Sequence, residues 1–328
     1  MYPEGAIAMR VIPTIPRILL PILLVIPAGI IAGCNSQPSA TQNPPSNPTP
    51  SQPAPATAPG QQQHLNPDVE KQRDEQKQQA QGTLNPDAMT AIDDTRKAID
   101  AIASGDKNKA MSAIEDATGK INILLARNPA TALLPVEVTV EVIDVAPLDD
   151  KDVKRLIAAA EAAVSLHDFP AGRLLLYNLT SEVRVRTFNL PLATYPDALK
   201  QAARLVDEGK NSDASGILQT ALNTLAVVDH VTPVSLILAQ AAVGTAQNIQ
   251  QSDKATAQAL LAAASNQLKR CEELGYISSD SPDYKSLNGE IADLQKQLKG
   301  TADTTSLFER LKADIAGVLK KLSGKEHR

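Results

Sequence analysis

From Met89 onward, apolar residues recur at the spacing of a helical face. Met89, Ile92, Ile99 and Ile102 share one stripe, and Ser104-Gly105-Asp106 interrupts it. Ala110, Ile114, Ala117, Ile121 and Leu124 then mark a second stripe. Helix, short glycine turn, helix reads as an antiparallel hairpin. The same arrangement recurs further on. The turn at Gly209 is followed by Ala214 and Leu218, and the turn at Ser252 by Ala257 and Leu261. A degenerate copy turns at His167-Asp168, with Gly172 and Leu176 in the corresponding places. The spacing from Gly209 to Ser252 is 43 residues, within the range of helical repeat units. Further helices are predicted at 196–208, 212–227, 233–249, 253–274, 282–298 and 304–322.

One stretch breaks this period. Val136, Val138, Val140 and Val142 alternate with Glu137, Thr139 and Glu141, the two-residue period of a half-buried strand. A second candidate strand, 182–190, carries Arg184 and Arg186 between Val183 and Val185. Its charge complements Glu137 and Glu141, which predicts cross-strand pairing into a small ribbon. The expected fold class is therefore mainly α: antiparallel helical hairpins in an irregular array, with a two-stranded β-ribbon inserted.

The N-terminal third has another character. Residues 18–33 are apolar, follow Arg10 and Arg17, and end in Ile31-Ala32-Gly33-Cys34. A basic start, a short apolar run and small residues before a cut form a secretory signal. Pro21 and Pro27 interrupt the run, and its length is marginal for a spanning helix. The last four residues resemble the lipobox of bacterial lipoproteins, with Ile31, Ala32 and Gly33 recognised by the signal peptidase and Cys34 lipidated. That resemblance implies a diacylglyceryl thioether on Cys34, so the membrane is the expected first partner. Two acyl chains hold a protein stably where one holds it marginally. Asn35 after the cysteine fits outer-membrane sorting in a Gram-negative host.

Residues 34–63 are rich in Pro, Ser and Gln, with eight prolines, and cannot build a core. Fully stretched, this tether would reach about 90 Å. Residues 64–87 carry two copies of a helix-start signal, Leu65-Asn66-Pro67-Asp68 and Leu84-Asn85-Pro86-Asp87. The run 70–79 between them has no apolar stripe, and reads as either a solvated helix or more linker. The order is thus a signal peptide at 1–33, a lipidated linker at 34–63, a polar segment at 64–87 and a helical domain at 88–328.

Composition narrows the function classes. The chain has 328 residues, only 2% aromatic and no Trp, which argues against base-stacking surfaces and aromatic-lined pockets. Net charge is −5 and no basic stripe is present, so nucleic acid is excluded as a partner. With Cys34 acylated, Cys271 stands alone and reads as a small buried hydrophobe.

At the ribbon the residues resemble a known family. Leu134-Pro135-Val136 with the following Val/Glu strand and Ile143-Asp144 is similar to the YfdX family of bacterial exported proteins. So is Asn189-Leu190-Pro191-Leu192 ahead of a helix ending Asp207-Glu208-Gly209-Lys210. The resemblance spans roughly residues 88–298. It implies a mostly helical exported protein linked to stress responses, with no established enzymatic chemistry. The lipobox and the proline-rich spacer depart from the simple cleavable signals of that family.

No catalytic, cofactor or metal constellation emerges. His64, His167, His230 and His327 lie far apart, and H-E-x-x-H is absent. His167 and His230 read as helix-end residues. Asp93-Asp94 and Asp149, Asp150 and Asp152 lack the alternation and central glycine of a calcium loop and suit helix N-termini. Ser104 and Lys107 match S-x-x-K but sit in a hairpin turn without the companion motifs. The expected function is a non-enzymatic envelope module, binding a protein or a small amphiphile on the concave side of stacked hairpins. The alternatives are an enzyme with a dispersed carboxylate and arginine site, or a structural oligomer. The oligomer would self-associate through the 304–322 face (Leu307, Leu311, Ile315, Leu319).

Overall fold

Asparagine and aspartate side chains open the helices, as the start signals predict. In the computed structural model, which describes residues 66–301 and 303–324, the chain runs α1 (Pro67–Gln81), α2 (Pro86–Ala103), α3 (Lys107–Arg127), β1 (Leu133–Asp144), α4 (Asp150–Ser165), α5 (Phe169–Tyr177) and β2 (Ser181–Pro191). It continues through α6 (Tyr195–Asp207), α7 (Asn211–Asn223), β3 (Ala226–Pro233), α8 (Val234–Ile249), α9 (Lys254–Glu273), α10 (Pro282–Gln297) and α11 (Thr305–Ser323). The side chains of Asn85, Asp106, Asp168 and Asp253 each accept a backbone N–H of the first helical turn, worth about 1 kcal/mol apiece. The polar run after Asn66 is helical. α1 rests on the body through buried Val69 and through Gln76, whose amide donates to Thr232 at 2.8 Å.

The hairpin turns fall where the pattern places them. Gly105 and Gly209 both have φ of 74°, the left-handed conformation that lets a chain reverse after a helix. His167 takes the same role at φ 62°, a conformation that costs a side-chain-bearing residue energy. Ala110, Ile114, Ala214, Leu218, Ala257 and Leu261, the residues following three of the turns, are all buried.

The hairpins do not stack in chain order, so no concave side of an array forms. α2–α3 packs against α6–α7, skipping the hairpin between them, and α8–α9 packs against α10–α11. Each pairing makes a four-helix core. One core also takes Leu134, Val136, Leu190 and Leu192 from β1, β2 and the segment after β2; the other takes Val69 and Val183. The reason is the sheet. β1, β2 and β3 are antiparallel in that order, with a helical hairpin in each connection. The α6–α7 connection therefore lies at the end of the sheet where β1 begins, beside α2–α3. The α4–α5 connection lies at the opposite end.

Two expectations are corrected here. The ribbon has a third strand, β3, where residues up to 227 were expected to be helical. Its polar Asp229 and His230 interrupt an otherwise β-branched run, so it shows neither period clearly. The 304–322 helix is not an outer apolar face. Leu311, Ile315 and Leu319 are buried against the rest of the second core.

Candidate functional site

The alternation of β2 places Glu182, Arg184 and Arg186 on one face of the sheet. Across the ladders stand Pro233, Val231 and Asp229 of β3, and Ile143, Glu141 and Thr139 of β1. This face floors a cavity of about 530 Å³, lined by Glu182, Arg184, Asp229, Val231, Tyr276 and Leu322 among others. The left-handed Gly275 (φ 83°) ends α9 and returns the chain so that Tyr276 reaches β2.

Every charge in the cavity has a partner. The Glu182 carboxylate accepts from Arg184 at 2.9 and 2.6 Å through one oxygen, and from the Tyr276 hydroxyl at 2.8 Å through the other. The Tyr276 oxygen in turn accepts the Ser181 N–H at 2.9 Å. Arg186 and Asp229 form a bidentate pair at 2.8 and 2.7 Å. That hydrogen-bonded pairing holds Asp229 below the usual carboxylate range and Arg186 above its own. Burial pushes the Tyr276 phenol up, and the Glu182 charge adds to it. The site's carboxylates are therefore ion-paired, and its phenol is protonated at neutral pH. The site offers no free base or nucleophile, but has room for a small polar molecule.

The sheet arginines find different acids from those the sequence suggests. Glu141 does stand opposite Arg184, but at 3.9 Å. Glu137 stands opposite Phe188, just past a register shift between Pro135 and Glu137, with no arginine across from it. The close partners are Glu182 on the same strand and Asp229 on β3. Asp229→Asn is expected to cost about 1 kcal/mol at neutral pH, because the pair is partly exposed. With its folded pKa depressed, Asp229 contributes stability above its ordinary value of 3.8 and loses it as pH falls through the folded value. The wild-type advantage in urea melts should therefore shrink in acid.

The remaining candidates take structural places. Ser104 donates to the Ala101 carbonyl at 3.0 Å, while Lys107 points away to Asp207 at 2.8 Å, fastening the Gly105 turn to the Gly209 turn. Asp93 pairs with Arg96. For Asp94, burial opposes ionisation, yet its contacts with Lys120 and Lys97, both 2.8 Å, outweigh it and lower its pKa. Asp149 caps α4, Asp150 meets Lys269 and Asp152 meets Arg155. Among the described residues, no group of three or more His, Cys, Asp or Glu side chains could hold a metal ion.

His230 corrects the helix-end reading. It lies within β3 opposite Val185, and its Nδ1 is buried without a hydrogen-bond partner. Cys271 is buried beside Ser235, and burial pushes its thiol up to about 12, which keeps it unreactive. The signal peptide, Ile31, Ala32, Gly33, Cys34, the 34–63 linker, His64 and His327 lie outside the described residues.

A second surface escaped the sequence reading. On the distal part of the α4–α5 hairpin, Val164, Leu166, Phe169, Leu174, Leu176 and Tyr177 are all exposed, Leu166 by 80% and Leu174 by 63%. Leu176, expected to be buried as in the other hairpins, is 55% exposed. The degenerate turn was the available signal: the copy that departs from the repeat also lacks a partner hairpin.

Fold and site together define a helical-hairpin protein threaded through a small sheet, with a closed ion-pair lattice and one bare apolar surface. Residues 91–231, from within α2 to within β3, match the family model for the YfdX protein. The α8–α11 bundle follows that region. A solved structure of Salmonella Typhi YfdX is 16% identical, covers 46% of this chain and 93% of that one, and has a TM-score of 0.31. At that score the likeness adds nothing to the family match. No curated protein matches the chain.

Proposed function

We propose that this chain is a non-enzymatic lipoprotein of the cell envelope, held by lipid on Cys34, that acts by protein contact through its α4–α5 hairpin. The exposed apolar surface of that hairpin carries the reading. Six large apolar side chains exposed on one short element exceed the scattered exposure ordinary for a surface, which supports reading the hairpin as a place of contact. The cavity on the sheet favours structure over chemistry, since its acids are spent on arginines and tyrosine. The acyl chains with the proline-rich spacer would keep the module near a membrane, the outer one in a Gram-negative host, without packing it there. The family resemblance supports a role under stress.

The test is native electrophoresis of envelope membranes extracted in mild detergent. Wild type and Arg184→Gln should migrate as the same complex, and Leu174→Gln/Leu176→Gln as a smaller species. If the arginine variant dissolves the complex and the hairpin variant leaves it intact, the cavity is the working site and the reading fails.

A further inference from the structure

The polar helix α1 is poorly matched to the seat it occupies. It packs on β1 and β2 and against α8. Gln76 reaches Thr232, and Val69 joins the core that takes Val183, so α1 faces the side of the sheet opposite the cavity. The ladders set Val142 and Thr232 beside Val183, and Val140 and His230 beside Val185. That side is mostly valine. The stripe that α1 turns towards it is Val69, Gln72, Arg73, Gln76 and Ala80, of which only Val69 is buried. By contrast α10, one residue longer, buries Leu287, Ile291 and Leu294.

Little else fastens α1. Among the described residues its ion pairs, Lys71–Glu75 and Arg73–Asp74, stay within the helix. Among the same residues, its one side-chain hydrogen bond to the body is the Gln76 amide to Thr232 at 2.8 Å. Gln76 Oε1 is buried there without a partner, and so is His230 Nδ1, two residues from Thr232 on the same side. A buried acceptor has given up water and gained no donor, so leaving the sheet relieves Gln76. The helix also carries its own start, with Asn66 accepting the Asp68 N–H at 2.9 Å and Pro67 in the first turn. At its other end the Asn85 N–H donates to the Pro135 carbonyl at 2.9 Å. That bond anchors the start of α2 to β1 and leaves 82–84 as a pivot.

We infer that α1 is a displaceable cover over the valine side of the sheet, undocking as one body about residues 82–84. The rest of the chain stays folded when it leaves, because the first core holds no residue of α1 and the second holds only Val69. Undocking bares Val140, Val142 and Val185, an apolar strip kept in reserve beneath a weakly held lid. Residues 1–65 enter the body through α1, so whatever they are fastened to acts on this cover before any other element.

The test uses the full-length chain carrying Val69→Cys, with Cys271, 0% exposed in the same core, as the internal reference. Under native conditions a maleimide should modify Val69→Cys about a hundredfold faster than Cys271, each thiol being read by peptide mapping. Hydrogen exchange of the wild type should show protection over residues 73–81 that is uniform and about a hundredfold below that of α2. Gln72→Leu, which gives the valines an aliphatic partner, should slow both processes about tenfold and leave α2 unchanged. Modification of Val69→Cys no faster than that of Cys271 overturns the inference. So does protection that climbs steadily from residue 68 to residue 81 and ignores Gln72→Leu, which is the fraying of a helix end rather than undocking.

Discussion

Tyr195→Ala should lower unfolding free energy by about 3–5 kcal/mol, while Tyr195→Phe should cost only about 1 kcal/mol. Tyr195 is 1% exposed and opens α6 inside the core shared by α2, α3, α6 and α7. Truncation removes the largest side chain in that core and leaves a cavity among α2, α3, α6 and α7. The hydroxyl donates to Thr95 Oγ1 at 2.9 Å, and Thr95 in turn donates to the Ala91 carbonyl. In Tyr195→Phe the Thr95 donor keeps its partner and only an acceptor contact is lost, which sets the smaller figure. Burial pushes the Tyr195 phenol up to about 12. A raised acid pKa means that the neutral form is the one the fold prefers. Its contribution is present at neutral pH and declines as pH rises above the ordinary value of 10.0. Urea melts of the two variants at neutral pH, and of wild type into the alkaline range, check all three expectations.

On the proposal that Cys34 carries the lipid, Cys34→Ala should leave the protein unacylated, either as a precursor that keeps its apolar leader or as a released soluble chain. Among the described residues no helix is long and apolar enough to cross a membrane. The two acyl chains proposed for Cys34 would supply the stable membrane hold of the processed form, since a single chain holds only marginally. The measurement is carbonate-washed fractionation with metabolic palmitate labelling. The variant should lose the label, while Cys271→Ala, which touches only the buried thiol, should keep it.

What the sequence made legible was local. The asparagine and aspartate caps, the glycines at 105 and 209 and the alternating valines of β1 each act within a few residues, so their pattern survives in one dimension. The α4–α5 turn was legible even with His167 in the left-handed position, because Asp168 still supplies the cap. The unread features depend on residues far apart in the chain. Tyr276 meets Glu182 across 94 positions, and Arg186 meets Asp229 across 43. β3 was missed because its pairing with β2, rather than its own period, makes it a strand. The skipped pairing of α2–α3 with α6–α7 follows from strand direction, which no stripe of apolar residues encodes. The exposed hairpin surface is a consequence of that skip, and could not be seen before the sheet was in place.

The proposal of a tethered module working through its α4–α5 hairpin depends first on the tether. Intact-mass spectrometry of the native product, isolated from membranes, tests it directly. The account predicts a chain beginning at Cys34 with a diacylglyceryl group on its sulfur. A free thiol at that position, or a leader still attached to it, would contradict the account.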